Sequence, residues 1–230
     1  MTAVQTDVEL ICPICEGRFD SFEPVGPRTS ASCPGCGSRE RHRALWLLFA
    51  GRPDLLSRPR SLLHFAPEPF LAERLSSQLE LKYVTADLDS RRGHLPLDVT
   101  DVALPDETFD AILCLHVLEH VVEDRRAMRE LHRILRPGGW LIVMVPLDLT
   151  RSETYEDPSI TEPEDRLRAF RQFDHVRLYS PDIAGRLGDV GFDVEEVRVA
   201  ERLGQEAARR HALLQSDYVF VCHKNRKEPT

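Results

Sequence analysis

Four of the six cysteines precede residue 40, as Cys12-Pro-Ile-Cys15 and Cys33-Pro-Gly-Cys36, with 17 residues between the pairs. Two such knuckles supply four thiolates to one tetrahedral Zn²⁺, and the Pro and Gly within them suit tight turns whose amides point at sulfur. In so short a segment, metal ligation substitutes for a hydrophobic core. Four cysteines fill the coordination sphere, so the expected zinc is structural, with Cys12, Cys15, Cys33 and Cys36 as ligands. Two redox pairs or free thiols are the alternative, but neither explains a doubled motif flanked by turn residues. Cys114 and Cys222 sit in apolar runs and read as small core residues.

The remaining candidates are acids and histidines. Asp87 closes an apolar run 23 residues after His64, a spacing suited to binding ribose hydroxyls. Asp98 follows a further short segment and can accept from an adenine amino group. Either is equally a turn residue on its own. His116-Val117-Leu118-Glu119-His120 fits the inverted zinc-protease pattern H-x-x-E-H, whose histidines share one helix face. Tyr155 and His175 lie in a long polar segment, where His175 offers a general base near neutral pH.

The elements that must position these residues alternate. Ala44–Phe49 reads as a buried helix ending near Gly51 and Pro53. Ser61–Ala66 is a short apolar strand, and Phe70, Leu71, Leu75 and Leu79 follow at helical spacing. Tyr83–Ala86, Phe109–Leu115 and Trp140–Val145 are further strands. The last two are nearly all apolar, as strands buried on both faces must be. Met128, Leu131, Ile134 and Leu135 mark a helix that Arg136-Pro137-Gly138-Gly139 stops. This alternation predicts right-handed crossovers and a parallel sheet. Val194–Val199 and Tyr218–Cys222 are expected as an antiparallel pair at one edge. Ligands in such sheets bind beyond the carboxyl ends of the strands.

Three ordered segments carry a family resemblance over roughly residues 60–224. Leu104–Cys114 (LPDETFDAILC) resembles the fourth-strand signature of class I S-adenosylmethionine-dependent methyltransferases. Val117-Leu118-Glu119-His120-Val121 resembles the helix after that strand, and Leu131–Trp140 (LHRILRPGGW) the turn into the fifth. The resemblance implies a doubly wound, seven-stranded, mainly parallel sheet with its last strand antiparallel. It implies S-adenosylmethionine as cofactor, with Asp87 and its neighbour Leu88 at the ribose and Asp98 or Val99 at the adenine. Leu115 and His116 would lie near the methionine part. It also absorbs the H-x-x-E-H pattern, leaving His120 a packed helix residue and His116 a pocket residue. The departure is at the first motif. There His64-Phe65-Ala66-Pro67-Glu68-Pro69-Phe70 stands in place of an acid and a glycine-rich turn. Ala66 takes the first glycine's place, and Glu68 is expected to supply the negative charge that His64 does not, as partner for the cofactor ammonium; the alternative is an exposed acid at a helix start, where one is favoured anyway.

The organisation expected is a zinc ribbon over 1–39 and a methyltransferase domain over 40–230, with a lid-like insertion at about 147–180. His175, Tyr155 and His116 are the catalytic candidates. With 230 residues, 42% hydrophobic and 30% charged, the chain has a globular composition. No apolar run is long enough for a membrane span, and the first ten residues lack a secretion signal, so a cytoplasmic location is expected. A net charge of −8 favours a small-molecule or saccharide acceptor over nucleic acid. The local cluster Arg39, Arg41, His42 and Arg43 reads as a solvated helix start. Two other functions fit the same letters: a non-catalytic binding protein with a degenerate cofactor site, and an RNA methyltransferase docking through the ribbon.

Overall fold

The computed structural model describes residues 9–226 apart from Leu79 and Ser90. Leu79, expected on the apolar face of a helix, therefore lies outside the described residues. Two small hairpins open the chain: β1 (Leu10–Ile11) with β2 (Arg18–Phe19), and β3 (Glu23–Val25) with β4 (Arg28–Ser32). Then follow α1 (Glu40–Gly51), α2 (Asp54–Ser57), β5 (Ser61–Phe65), α3 (Pro69–Ser76), β6 (Lys82–Asp87), β7 (Leu95–Pro96) and β8 (Phe109–Leu115). A 3₁₀ turn (Leu118–His120) leads to α4 (Asp124–Ile134) and β9 (Leu135–Met144). The insertion holds β10 (Tyr155–Glu156), α5 (Pro163–Phe170) and β11 (Arg177–Leu178). The chain closes with α6 (Ile183–Gly188), β12 (Phe192–Arg198), α7 (Val199–Leu203), α8 (Gln205–Arg210) and β13 (Tyr218–Lys224).

Seven strands form one sheet in the order β12-β13-β9-β8-β5-β6-β7. β13 pairs antiparallel with both neighbours, and β5, β6, β7, β8 and β9 pair in parallel. This is the doubly wound sheet with one reversed strand that the sequence predicts. β5 is buried along its whole length, Ser61 and His64 included. One face of the sheet packs on α4 and α6 through Met128, Leu131, Ile134, Ile183 and Leu187. The other packs on α1 and α3 through Leu45, Leu48, Phe49, Leu71 and Leu75. Cys114 and Cys222 are fully buried in the first of these layers, as expected of small core residues.

Two glycines are fixed by close backbone approach. A Cβ on Gly139 would lie 2.5 Å from the Asp110 carbonyl, where β9 joins β8, and a Cβ on Gly93 would lie 2.7 Å from the Asp87 amide. The second keeps the chain tight behind the end of β6, where Asp87 sits.

The reading of Arg39–Arg43 as a solvated helix start is overturned. His42 and Arg43 are buried, and so is Glu40. Arg43 donates to the carbonyls of Ala31 (3.0 Å), Ser38 (2.7 Å), His211 (2.8 Å) and Ala212 (2.9 Å), and it lies over the Phe22 ring. One guanidinium thus satisfies carbonyls of both the ribbon and the segment after α8, which explains how a charge tolerates full burial.

Candidate functional site

The two knuckles fold alike. Cys12 N–H donates to Gly17 O and Glu16 N–H back to Cys12 O; Cys33 N–H donates to Ser38 O and Gly37 N–H back to Cys33 O. Glu16 and Gly37 occupy equivalent left-handed positions, at φ +62° and +74°. Cys12 Sγ lies 3.7 Å from Cys36 Sγ, and Cys15 Sγ 3.6 Å from Cys33 Sγ. Thiolates bound at about 2.3 Å around a tetrahedral zinc stand about 3.8 Å apart, so the donor set fits this ion. All four sulfurs form one cluster of the right size.

A cleft of about 1000 Å³ opens beyond the carboxyl ends of β5, β8 and β9. The ribbon and α1 give it Arg28, Arg39, Arg41 and His42. The start of α3 gives Glu68 and Phe70; the ends of β8 and β9 give His116 and Met144 to Leu147. The 3₁₀ turn adds Glu119 and His120, the insertion Phe170, Arg171, Gln172, His175 and Leu178, and the approach to β13 adds Asp217.

Glu68 occupies the N-cap position of α3, before Pro69, but its side chain makes no capping hydrogen bond. Its carboxylate faces two imidazoles: Oε1 is 3.0 Å from His42 Nε2, and Oε2 is 3.4 Å from His64 Nε2. Neither approach is aligned as a hydrogen bond, so Glu68 Oε2 and both Nε2 atoms are buried without a hydrogen-bond partner. Burial alone would raise the Glu68 pKa, but the facing imidazoles more than offset it and hold the carboxyl well below its usual range. Burial holds the His42 imidazole down at about 4, against the pull of Glu68. His42 Nδ1 accepts from Arg39 N–H at 3.0 Å, which assigns the neutral ring's proton to Nε2, toward Glu68. His64, expected to touch the cofactor, is fully buried on β5, with Nδ1 2.8 Å from the Tyr83 hydroxyl. It stands behind Glu68 and does not line the cleft.

Ala66 adopts φ +48°, a left-handed conformation that favours glycine, so the turn keeps the glycine geometry without a glycine. Asp87 ends β6; its Oδ1 accepts from Asp89 N–H at 2.9 Å. Leu88 beside it is 77% exposed. Asp98 Oδ1 accepts from both the amide and the hydroxyl of Thr100, at 2.8 Å each, in a side-chain-stabilised turn. Val99 and Leu115, expected beside the adenine and the methionine part, are instead buried in the core and do not line the cleft. Asp87 and Asp98 lie beyond the same sheet edge as the first-motif turn, outside the walls of the cleft.

The histidines end up differently placed from the sequence expectation. Val117–Val121 is a single 3₁₀ turn, and His116 precedes it at φ +53°, so His116 and His120 do not share an α-helical face. His116 Nδ1 lies 3.1 Å from Glu119 Oε1. Glu119 is buried, and its Oε2 has no hydrogen-bond partner. Burial would raise its pKa; the His116 contact outweighs that and lowers it. His175 is buried, Nδ1 3.2 Å from Phe170 O, and burial lowers its pKa. Its ring packs edge-on to His120 at 4.7 Å between centroids. The fit is fixed by the neighbouring backbone: Val176 N–H donates to Glu119 O at 2.9 Å. The buried Arg177 donates to the carbonyls of Leu118, Val121 and Val122.

Tyr155, expected as catalytic, does not reach the cleft. It pairs with Leu178 across the antiparallel β10–β11 pair and packs on Phe170 (5.5 Å) under Arg151 (4.8 Å). Sequence reasoning missed Asp217, whose carboxyl burial pushes up to about 7, with Oδ2 unpartnered at the cleft wall. It also missed the part played by His42 and Arg41. Their only local signal was a basic cluster, which does not distinguish a buried helix start from a solvated one.

Comparison with known proteins agrees with this architecture. Residues 72–143 match the family described as methyltransferase domain. A probable S-adenosylmethionine-dependent methyltransferase of Mycolicibacterium smegmatis is 30% identical over 110 residues, covering 47% of this chain and 37% of that protein. A ubiquinone/menaquinone biosynthesis C-methyltransferase of Pseudoalteromonas translucida is 29% identical over 111 residues, covering 47% of this chain and 44% of that protein. The chain thus spans less than half the length of these curated relatives. Among solved structures, the 1,6-didemethyltoxoflavin N1-methyltransferase of Burkholderia thailandensis superposes with a TM-score of 0.51 at 16% identity, covering 82% of this chain and 79% of that one. The class is therefore a Rossmann-like methyltransferase fold preceded by a small four-cysteine ribbon. Within it, the segment 72–143 is similar to the methyltransferase domain family.

Among the described residues, no helix is long and apolar enough to cross a membrane.

Proposed function

We propose that this chain transfers the methyl group of S-adenosylmethionine to a small-molecule acceptor held in the cleft. The observation that carries the reading is Glu68: a largely buried carboxylate, kept ionised by two facing imidazoles, in the cleft wall at the turn after β5, where a doubly wound sheet binds its ligand. Glu68 pairs with the ammonium group of the cofactor's methionine part. Ala66 keeps the turn open to close approach, Asp87 grips the ribose hydroxyls, and the exposed face of Leu88 offers the adenine an apolar surface. Asp98 borders the adenine, and His116 lies toward the methionine end.

When bound, S-adenosylmethionine supplies an electrophilic methyl group on a sulfonium sulfur. The chain's own share of the work is positioning, exclusion of water and acceptance of a proton. His116 and His175 are the imidazoles placed for these roles, and both line the cleft with the 147–180 segment folded over it. A cleft of about 1000 Å³ walled by the ribbon on one side and the insertion on the other suits a small acceptor. Cysteines arranged for a metal rather than for disulfides suit a reducing, cytoplasmic compartment.

Calorimetric titration with S-adenosylhomocysteine tests the reading. A folded protein that takes up none would leave the binding-protein alternative. Asp87→Ala is expected to weaken this binding roughly tenfold to a few hundredfold, since charge-assisted hydrogen bonds contribute about 1.5–3 kcal/mol each. Unchanged affinity in that variant places the ribose elsewhere.

A further inference from the structure

The turn after β8 carries more polar machinery than cofactor binding uses. Glu119, His120 and His175 each bring one possible ligand atom within 4.8 Å of the other two. Three features distinguish this trio from incidental packing. Glu119 is almost wholly buried, yet its Oε2 has no hydrogen-bond partner, and a buried anionic oxygen without one is costly. Both ring Nδ1 atoms are engaged: His175 Nδ1 with Phe170 O at 3.2 Å, His120 Nδ1 with Asp174 O at 3.3 Å and its carboxylate at 3.4 Å. A backbone or carboxylate acceptor on Nδ1 fixes the tautomer and leaves Nε2 as the lone-pair donor, as in histidines that ligate metals. Finally, the backbone is over-determined here. Arg177 ties down the carbonyls of the 3₁₀ turn, and the Val176–Glu119 hydrogen bond locks His175 beside it.

We propose that Glu119, His120 and His175 form a second metal site, for a first-row divalent ion, in the wall of the cleft. Two imidazoles and one carboxylate suit zinc, iron(II), manganese or cobalt rather than calcium or magnesium, which take oxygen donors. Three protein ligands leave coordination positions open, and all three side chains line the cleft. The open positions face the acceptor and take an oxygen donor such as a hydroxyl. That last clause rests on the methyltransferase reading; the metal site itself does not. In this arrangement His175 is a ligand and not a base. His116, which donates Nδ1–H to Glu119 Oε1, holds the carboxylate in place and keeps its Nε2 to accept a proton.

The site is tested by metal stoichiometry on the full chain with its ribbon loaded with zinc. Titration with Mn²⁺ or Co²⁺ is expected to fill one further equivalent per chain and to raise the melting temperature. Glu119→Gln keeps the shape and removes the charge; His120→Ala and His175→Ala each remove a ligand. Each should weaken the added ion at least about tenfold while the ribbon keeps its zinc. Co²⁺ spectra separate the sites, since only the ribbon supplies thiolate. No equivalent beyond the ribbon's, or a second equivalent indifferent to all three substitutions, overturns the proposal. Should one histidine variant fail to fold, wild-type stoichiometry and Glu119→Gln still decide. Metal uptake by protein that takes up no S-adenosylhomocysteine would keep this site and discard the methyltransferase reading.

Discussion

Single residues carry the chemistry, and Glu68 shows how far one can be traced. Its charge is held by two imidazoles, yet one oxygen stays buried and unsatisfied. Glu68→Gln keeps the side chain's shape, so it isolates the electrostatic part. S-adenosylmethionine affinity should fall about tenfold or more, while adenosine, which has no ammonium group, binds almost unchanged. Titration of both ligands checks this. Equal losses would point to a collapsed pocket, and no loss to a carboxylate that merely starts α3. The four cysteines and Glu68 were legible because spacing and strand-end position are local properties. His42 was not, because its contact with Glu68 spans 26 residues and belongs to packing. Tyr155 failed as a candidate for a related reason. A two-residue strand does not declare which of its faces meets the cleft, and here its pairing with β11 leaves the ring on Phe170.

Among the elements, the strands were the most legible. β5, β8 and the apolar half of β9 are buried on both faces, so their sequences carry almost no polar residue and stand out from the helices. The turn after β8 was less so: an apparent helix is one 3₁₀ turn, because the insertion pulls its carbonyls toward Arg177. The start of α1 was misread altogether, and its burial has a measurable consequence. The His42 pKa is depressed to about 4 in the folded chain, against about 6.5 unfolded. Below pH 6.5 the unfolded chain therefore binds the proton that the folded chain refuses, and stability falls as the pH drops toward 4. Between pH 7.5 and 5.5 this one group should cost about 1 kcal/mol. Glu68, also depressed, adds a loss in the same direction only at lower pH, as its unfolded form begins to protonate. Urea midpoints for wild type and His42→Gln across that range check the assignment. An equally steep decline in the variant would move the effect to another histidine, of which the buried His175 is the first to test.

On the scale of the whole molecule, the ribbon is a wall of the cleft and not an appendage. Its small core of Cys12, Ile14, Phe22 and Cys33 continues into Trp46 of α1 and Phe70 of α3. Arg43 sits fully buried between ribbon and body, with carbonyl acceptors on both sides. His211 Nδ1 adds a bond to Ile11 O at 2.8 Å, and Arg74 pairs with Glu16 at 2.6 Å. The sequence predicts a self-contained zinc module, since its knuckles are local, but not this docking, which rests on contacts up to 200 residues apart. The docking decides how the chain responds to loss of the metal. A ribbon on a free tether would unfold alone after Cys33→Ser, leaving the α/β body at its original melting temperature. With Arg43 shared, loss of the knuckles strands a buried guanidinium, and the penalty passes to the body. Cys33→Ser should therefore lower the melting temperature of the entire chain in one transition and weaken S-adenosylhomocysteine binding through the lost wall. Arg43→Met keeps the aliphatic stem and leaves four carbonyls without their donor, at about 3 kcal/mol or more, while the cysteines keep their zinc. Urea unfolding followed in parallel by tryptophan fluorescence, circular dichroism and zinc release measures both variants. Zinc release from Cys33→Ser with the body's transition unmoved would show that ribbon and body fold independently and that Arg43 does not couple them.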